Sequence, residues 1–115
     1  MIAFTVPGRA HPKGRPRVDT RGASPRVYTP AATKSFEELV HAVAKTSAAH
    51  PMRGPVSVEI RFFGAAGDVD NLCKSVLDGM RRACYGDDRQ VVELRATLKR
   101  RDRDPRTEIV VRSVR

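Results

Sequence analysis

The segment from Val56 to Phe62 constrains the fold of this chain more than any other. Apolar and polar residues alternate along its whole length, and proline and glycine residues lie close to its ends. Such alternation is typical of a strand with one buried face, so other elements must cover that face. On both sides of the segment, apolar residues recur at helical spacing, which predicts helices from about Pro30 to Ala49 and from about Asp70 to Cys84. A strand between two amphipathic helices favours a sheet with helices packed against it.

Three further segments complete the predicted fold. Apolar and polar residues alternate in 2–6, 92–98 and 108–114, and the last two segments are predicted to pair as a C-terminal hairpin. Pro30 is suited to begin the first helix, and Gly86 is suited to end the second. We therefore predict an α+β fold: a single small domain over residues 1–115, with a mixed β-sheet packed against two helices in the order β-loop-α-β-α-β-β.

The charge of the chain indicates the chemistry of its partner. Lysine and arginine number 22 against 13 aspartate and glutamate residues, so the net charge of this 115-residue chain is +9. This excess favours a polyanion such as nucleic acid. No apolar run approaches the roughly 20 residues that a membrane span requires, and Pro7 interrupts the apolar start too early for a signal peptide. We expect a soluble, cytoplasmic protein with no membrane partner.

The segment 9–28 is predicted to be a basic loop. It has no apolar periodicity, it contains glycines and prolines, and Asp19 is its only acidic residue. Such a segment cannot bury a core, so we predict a loop that is mobile or becomes ordered on binding. Four of its basic residues are predicted to contact DNA phosphates rather than bases: Lys13, Arg15, Arg17 and Arg26. The alternative is a solvated basic loop.

The two cysteines, Cys73 and Cys84, are predicted to be free thiols. Both fall in the second predicted helix, where their separation along the axis is about 16 Å, far beyond the reach of a disulfide. We expect them in the core of a protein from a reducing compartment.

Acidic residues cluster around the second predicted helix, although the chain is basic overall. Asp68 and Asp70 lie at its start and Asp88 follows its end. The extended residues after Gly86 are long enough to lead Asp88 back toward the helix start, so the three carboxylates are predicted to meet. Three hard oxygen ligands without a neighbouring histidine or cysteine suit Mg²⁺, with Mn²⁺ as the alternative metal. A carboxylate at a helix start can instead cap free N–H groups, so this second interpretation stays open.

Lys74 lies between Asp70 and Asp78 at helical spacing, so the three side chains are predicted to share a stripe that faces a cleft. Beside a metal site, its ammonium group would neutralise charge that develops on a phosphate. The alternative is a simple helix ion pair, worth about 0.3–0.5 kcal/mol. Supporting roles around the site are predicted for Asn71, Asp78, Asp87 and Gln90.

Two classes of function stay open on the residues alone. One is a metal-dependent phosphodiesterase that acts on nucleic acid. The other is a non-catalytic basic DNA- or RNA-binding protein, in which the acidic residues are helix caps and ion-pair partners. The clustering of Asp68, Asp70 and Asp88 is the feature that separates them.

A longer pattern joins these residues into one motif. It reads Asp68-Val69-Asp70-Asn71-x-x-Lys74-x-x-x-Asp78, followed by Asp87-Asp88-x-Gln90-Val91. This motif resembles the signature of the RusA family of Holliday-junction resolvases. The resemblance continues upstream and covers nearly the whole chain, through Phe4, Pro7-Gly8, Pro12-Lys13, Arg15-Pro16-Arg17 and Tyr28-Thr29-Pro30.

The resemblance implies a small Mg²⁺-dependent endonuclease of a kind frequent in phages and prophages. Such an enzyme would be a homodimer that binds four-way DNA junctions and nicks two strands symmetrically. By the same resemblance, Asp68, Asp70 and Asp88 would be the metal-binding catalytic carboxylates, and Lys74 would be the essential cation. A two-fold enzyme matches the nearly two-fold substrate that the resemblance implies, which agrees with a homodimer.

Overall fold

A computed structural model describes residues 1–14, 17–28 and 30–114 of the chain. Its elements, in chain order, are β1 (Ile2–Pro7), β2 (Arg17–Asp19), β3 (Arg26–Tyr28), α1 (Ala31–Ser47), β4 (Val56–Phe63), α2 (Val69–Met80), β5 (Val91–Lys99) and β6 (Arg106–Ser113). A short 3₁₀-helix, Asp88–Gln90, precedes β5. The α+β class and the order of the main elements are as predicted.

The main sheet is mixed, as predicted. Its four strands lie in the order β1-β6-β4-β5. The strand β6 is antiparallel to both of its neighbours, so that Ile109 lies beside Phe4 on one side and beside Ile60 on the other. In contrast, β5 lies parallel to β4, and α2 makes the crossover between them.

The predicted C-terminal hairpin is wrong, because β4 lies between β5 and β6. The apolar side chains of β4, from Val56 to Phe62, are almost fully buried. Burial of this kind suits a strand with a neighbour on each side, and a β5–β6 hairpin would leave β4 beside at most one of these two strands. The strand β5 has the exposed side chains of Val92 and Leu94, which are compatible with its position at the sheet edge.

Both helices contribute to one core with the buried face of the sheet. α1 lies over β1 and α2 lies over β5, and the two helices pack against each other. They approach closely at Gly79, where a Cβ atom would lie 2.8 Å from the Glu37 carbonyl oxygen and from the Val40 Cβ. Only glycine fits this contact without movement of a helix. Within the described residues, neither helix is long and apolar enough to cross a membrane.

α2 ends at Met80 rather than near Cys84, because the chain turns back beneath the helix end. Arg82 adopts a positive φ of 71°, and the Cys84 carbonyl accepts a hydrogen bond from the Met52 N–H at 2.7 Å. The turn buries the Tyr85 ring, whose hydroxyl donates to the Leu77 carbonyl at 3.0 Å. Burial of this large side chain stabilises the turn over a longer helix.

The cysteines are buried free thiols, as predicted, although they do not share one helix. Cys73 lies on α2, whereas Cys84 lies in the turn after it. Burial raises the pKa of the Cys84 thiol to about 11. This thiol therefore stays protonated at neutral pH, and it behaves as a small core residue.

The described part of the basic loop is more regular than predicted. β2 and β3 form a short antiparallel hairpin in which Val18 pairs with Val27. Before the hairpin, the Lys13 N–H donates to the Asn71 carbonyl at 2.9 Å, and the Gly14 N–H donates to Thr33 Oγ1 at 3.1 Å. These bonds attach the start of the loop to the first turns of both helices.

Candidate functional site

Asp68 and Asp70 lie together at the N-terminal end of α2. After β4 the chain turns at Gly67, which has a φ of +102°, and Asp68 occupies the position that precedes the helix. Within the described chain, the Asp68 carboxylate makes no capping hydrogen bond to α2, and Asp70 Oδ1 accepts only a local bond from the Asn71 N–H at 2.9 Å. Helix capping therefore does not account for Asp68.

Both carboxylates line an open groove of about 520 Å³ between the start of α2 and the C-terminal end of β5. We call it the carboxylate groove; its residues are Asp68, Val69, Asp70, Ala96, Leu98 and Arg100. A second groove of about 300 Å³, the apolar groove, adjoins it along α2 and β5. Its residues are Val69, Asp70, Cys73, Lys74, Leu77, Leu94 and Ala96. Asp70 borders both grooves, and it shares the first with Arg100 and the second with Lys74.

Asp88 does not join these carboxylates within one chain, so the prediction that the three meet is wrong for a single protomer. It belongs to the 3₁₀-helix before β5, and its Oδ2 atom lies 3.1 Å from the Arg81 guanidinium at the C-terminal end of α2. Asp70 and Arg81 are separated by about 16 Å along the helix axis. Among the described residues, no three acidic, histidine or cysteine side chains lie close enough together to hold a metal ion.

The topology explains this separation. Because β5 is parallel to β4, it begins at the end of the sheet where α2 terminates, opposite the start of α2. After Asp88 the chain runs along the sheet edge as β5. It reaches the carboxylate groove only at the C-terminal end of this strand. The carboxylate of Asp88 thus lies at the opposite end of the crossover from Asp68.

Asp87 and Gln90 form the turn that holds Asp88. Asp87 caps the 3₁₀-helix by accepting the Arg89 N–H at 2.9 Å, and this backbone hydrogen bond lowers the pKa of its carboxyl group. The Gln90 side-chain oxygen accepts the Gly86 and Asp87 N–H groups. The Gln90 amide donates to two carbonyls of the segment before β4, those of Met52 and Gly54. These contacts give Asp87 and Gln90 structural roles in the turn. The side chains of Asp87 and Asp88 are both about half exposed.

Lys74 and Asp78 face different neighbours, so the predicted common stripe is wrong. Lys74 borders the apolar groove, and within the described residues it makes no ion pair. Asp78 lies against α1 and forms an ion pair with Lys13, at 2.9 Å between Oδ2 and Nζ. Side chains four residues apart differ in direction by about 40° around a helix axis, so side chains at this spacing gradually turn toward another face of α2. The simple ion pair proposed as the alternative role of Lys74 is therefore not formed.

Lys13 is held between two carboxylates. Its Nζ lies 2.5 Å from Glu37 Oε1 and 2.9 Å from Asp78 Oδ2, and only 20% of the side chain is exposed. Burial lowers the pKa of Lys13, but its bonds to Glu37 and Asp78 raise that pKa overall. Its charge is thus balanced within the protein, which favours a role in fixing the loop over the predicted phosphate contact.

The remaining basic-loop predictions concern three arginines. Arg17 belongs to β2 and Arg26 to β3, where the exposed Arg26 guanidinium lies 3.8 Å from Asp19. Arg15 lies outside the described residues.

Asn71, for which a supporting role was predicted, contacts the basic loop through its backbone. Its carbonyl accepts a hydrogen bond from the Lys13 N–H.

The sequence interpretation missed Arg100. This residue directly follows β5, and its Nη1 atom donates to the Gly67 carbonyl at 3.0 Å. The available signal was the basic run 99–103, which includes three arginines. The position of Arg100 beside Asp68 depends on the β4–α2–β5 crossover, so the run alone did not indicate it.

Two comparisons with known proteins cover the whole of this arrangement. The family described as "Endodeoxyribonuclease RusA" matches residues 7–112, which include the basic loop and both ends of α2. The Bacillus subtilis (strain 168) protein YqaN is 30% identical over 138 aligned positions, which cover 98% of this chain and 96% of the relative. The chain therefore belongs to the RusA family of endodeoxyribonucleases, which act on Holliday junctions.

Proposed function

We propose that this protein is a Mg²⁺-dependent endonuclease that resolves four-way DNA junctions by paired symmetric nicks. The observation that carries the proposal is the carboxylate groove, which Asp68 and Asp70 share with the cation Arg100. Lys74 borders the adjoining apolar groove together with Asp70. A purely DNA-binding protein gains nothing from two exposed carboxylates on a surface that must approach negatively charged phosphates. Membership of the RusA family supports the same activity.

The donor atoms of the groove suit a hard divalent cation. Asp68 and Asp70 would hold it, since Mg²⁺ is commonly bound by one or two carboxylates together with water and a substrate phosphate. Mn²⁺ accepts the same ligands. When bound, such an ion acidifies a water molecule and polarises the phosphate that is attacked. Both carboxylates also lie at the N-terminal end of α2, where the positive end of the helix dipole attracts negative charge.

The cation Lys74 of the adjoining apolar groove has a separate role in the proposed reaction. Lys74 makes no ion pair among the described residues, so its ammonium group is available to a DNA phosphate. Placed beside Asp70, it would neutralise charge that builds on the phosphate oxygens as the bond to the leaving oxygen breaks. The exposed basic hairpin β2–β3 would bind the DNA backbone outside the groove.

The position of Asp88 supports a homodimer. Its carboxylate reaches a site that contains Asp68 and Asp70 only if a second protomer supplies it, because within one chain α2 separates them. The apolar groove offers a surface for that second copy: Leu94 is 45% exposed and Val92 is 59% exposed, on the edge strand of the sheet. Asp70 and Lys74 border the same groove, so a protomer bound there would lie directly beside the proposed site.

A cleavage assay tests the proposed activity directly. The protein is incubated with a labelled four-way junction and with a linear duplex of matched sequence, each with Mg²⁺ and with a chelator. We expect two symmetric nicks in the junction only, and only with Mg²⁺, because the groove needs a metal ion for hydrolysis. Tight junction binding without any cleavage would instead favour the non-catalytic DNA-binding alternative.

The dimer surface is tested by Leu94→Asp. A carboxylate at this position would be buried without a partner in the proposed interface, whereas it stays hydrated in the single protomer. We expect the mass measured by light scattering to fall from two chains to one, and cleavage to fall with it. Val27→Asp, which adds the same charge to an exposed valine of the β2–β3 hairpin, is the matched control for mass. A wild-type protein of one-chain mass at micromolar concentration would contradict the proposed dimer.

A further inference from the structure

The Arg100 side chain is fixed at the rim of the carboxylate groove. Its backbone directly follows the last residue of β5, and its guanidinium donates to the carbonyl of Gly67, the residue before Asp68. Gly67 lies against Pro12, since a Cβ atom at Gly67 would lie 3.0 Å from the Pro12 Cγ. The guanidinium is thus attached to the same turn that presents the first carboxylate.

Among the residues that the structure describes, no carboxylate pairs with Arg100, although it shares the groove with Asp68 and Asp70. Its neighbours differ: Lys99 lies 3.3 Å from Asp102, and Arg106 lies 3.2 Å from Asp102 and 3.0 Å from Glu108. A guanidinium has five N–H donors in a planar fork, and the Gly67 carbonyl accepts one of them.

We propose that Arg100 binds a phosphate of the DNA strand to be cut and holds it over Asp68 and Asp70. This inference rests on the proposed nuclease function, and it adds a residue that orients the reacting strand. The remaining N–H groups suit two oxygens of one phosphate, a geometry that a lysine ammonium cannot reproduce. Because the guanidinium is anchored to Gly67, the phosphate it binds is positioned relative to the carboxylates and not only attracted to the surface.

The neighbouring arginine provides a contrast in position. Arg101 borders a different surface cleft, together with Lys99, Asp102 and Arg103. It has the same charge, but it does not line the carboxylate groove. Its expected contribution is therefore long-range attraction of DNA, which changes affinity more than reaction rate.

The test compares Arg100→Gln with Arg101→Gln, which remove the same charge from adjacent residues. Junction affinity is measured without metal, and the cleavage rate is measured with Mg²⁺ under single-turnover conditions at saturating enzyme. For Arg100→Gln we expect a rate lower by about 100-fold, since a misplaced reacting group costs about this factor, and an affinity lower by no more than about fivefold. For Arg101→Gln we expect a smaller loss of affinity than for Arg100→Gln, and an unchanged rate. Equal rates for the two variants would overturn the proposal.

Arg100→Lys separates orientation of the phosphate from a structural role of the Gly67 hydrogen bond. The lysine keeps the charge, so we expect wild-type affinity and a rate at least about tenfold above that of Arg100→Gln, yet below wild type. No recovery of rate would overturn the proposal. If the wild-type protein cuts no junction with Mg²⁺, the proposed function fails. Phosphate binding by Arg100 is then decided by junction affinity alone. It stands if Arg100→Gln loses more affinity than Arg101→Gln, and it fails otherwise.

Discussion

An Asp70→Asn variant is expected to bind four-way junctions at least as tightly as the wild-type protein and to cut them at least about 1000-fold more slowly. The change keeps the size of the side chain but removes a negative charge from the proposed metal site. The chemical step then loses several kcal/mol of stabilisation by the metal ion, and each 1.36 kcal/mol corresponds to a factor of about ten. Without metal, loss of a carboxylate near DNA phosphates removes a repulsion of at most about 1 kcal/mol, so affinity stays equal or rises up to about fivefold.

The measurements are junction affinity in a chelator and the single-turnover cleavage rate with Mg²⁺, with the melting temperature as a check on folding. Asparagine replaces aspartate well near a helix start, so the fold should be unaffected. If Asp70 were only a residue of the first helical turn, both affinity and cleavage would stay near wild type. That result would contradict the assignment of the carboxylate groove as the catalytic site.

A mixture of Asp70→Asn and Asp88→Asn chains is expected to regain cleavage that neither variant has alone. In the proposed dimer, each site combines Asp68 and Asp70 of one protomer with Asp88 of the other. A mixed dimer then has one site with both substitutions and one site with neither. Random exchange of chains gives about half mixed dimers, so about one quarter of the sites should be intact. The product should be a single nick, because each mixed dimer retains only one active site.

The two variants are mixed in equal amounts under conditions that exchange subunits, and nicks are counted on each strand of a labelled junction. Asp87→Asn is the control for Asp88→Asn, because it changes the adjacent carboxylate and asparagine can keep the cap of the 3₁₀-helix. We expect Asp87→Asn to remain active by itself. A mixture as inactive as its components would show that Asp70 and Asp88 act within the same protomer or that Asp88 is not part of the site.

The ion pairs of Lys13 indicate how the basic loop is positioned relative to this site. Lys13 connects the loop to Glu37 of α1 and to Asp78 of α2, while its backbone N–H bonds the Asn71 carbonyl close to Asp70. The loop therefore leaves the helix pair at the end where the carboxylate groove lies.

Local patterns in the sequence determined the elements of this protein and part of its site. The alternation of apolar and polar residues in 56–62 predicted β4, and the helical spacing of apolar residues around it predicted α1 and the start of α2. Both patterns involve residues that are close together in the sequence. Asp68 and Asp70 are close in sequence and precede or begin one helix, so their proximity was also predictable. The RusA motif is likewise a local spacing of residues, and the family match agrees with it.

Only the tertiary structure decided which elements became neighbours. β6 inserts beside β4 because the buried side chains of β4 need a strand on each side, and this preference arises from the whole sheet rather than from the turn between β5 and β6. The resulting parallel β5 begins at the far end of α2, which separates Asp88 from Asp70 and brings Arg100 to Asp68. These distances depend on contacts between residues far apart in the chain, and the burial of a shared core selects such contacts.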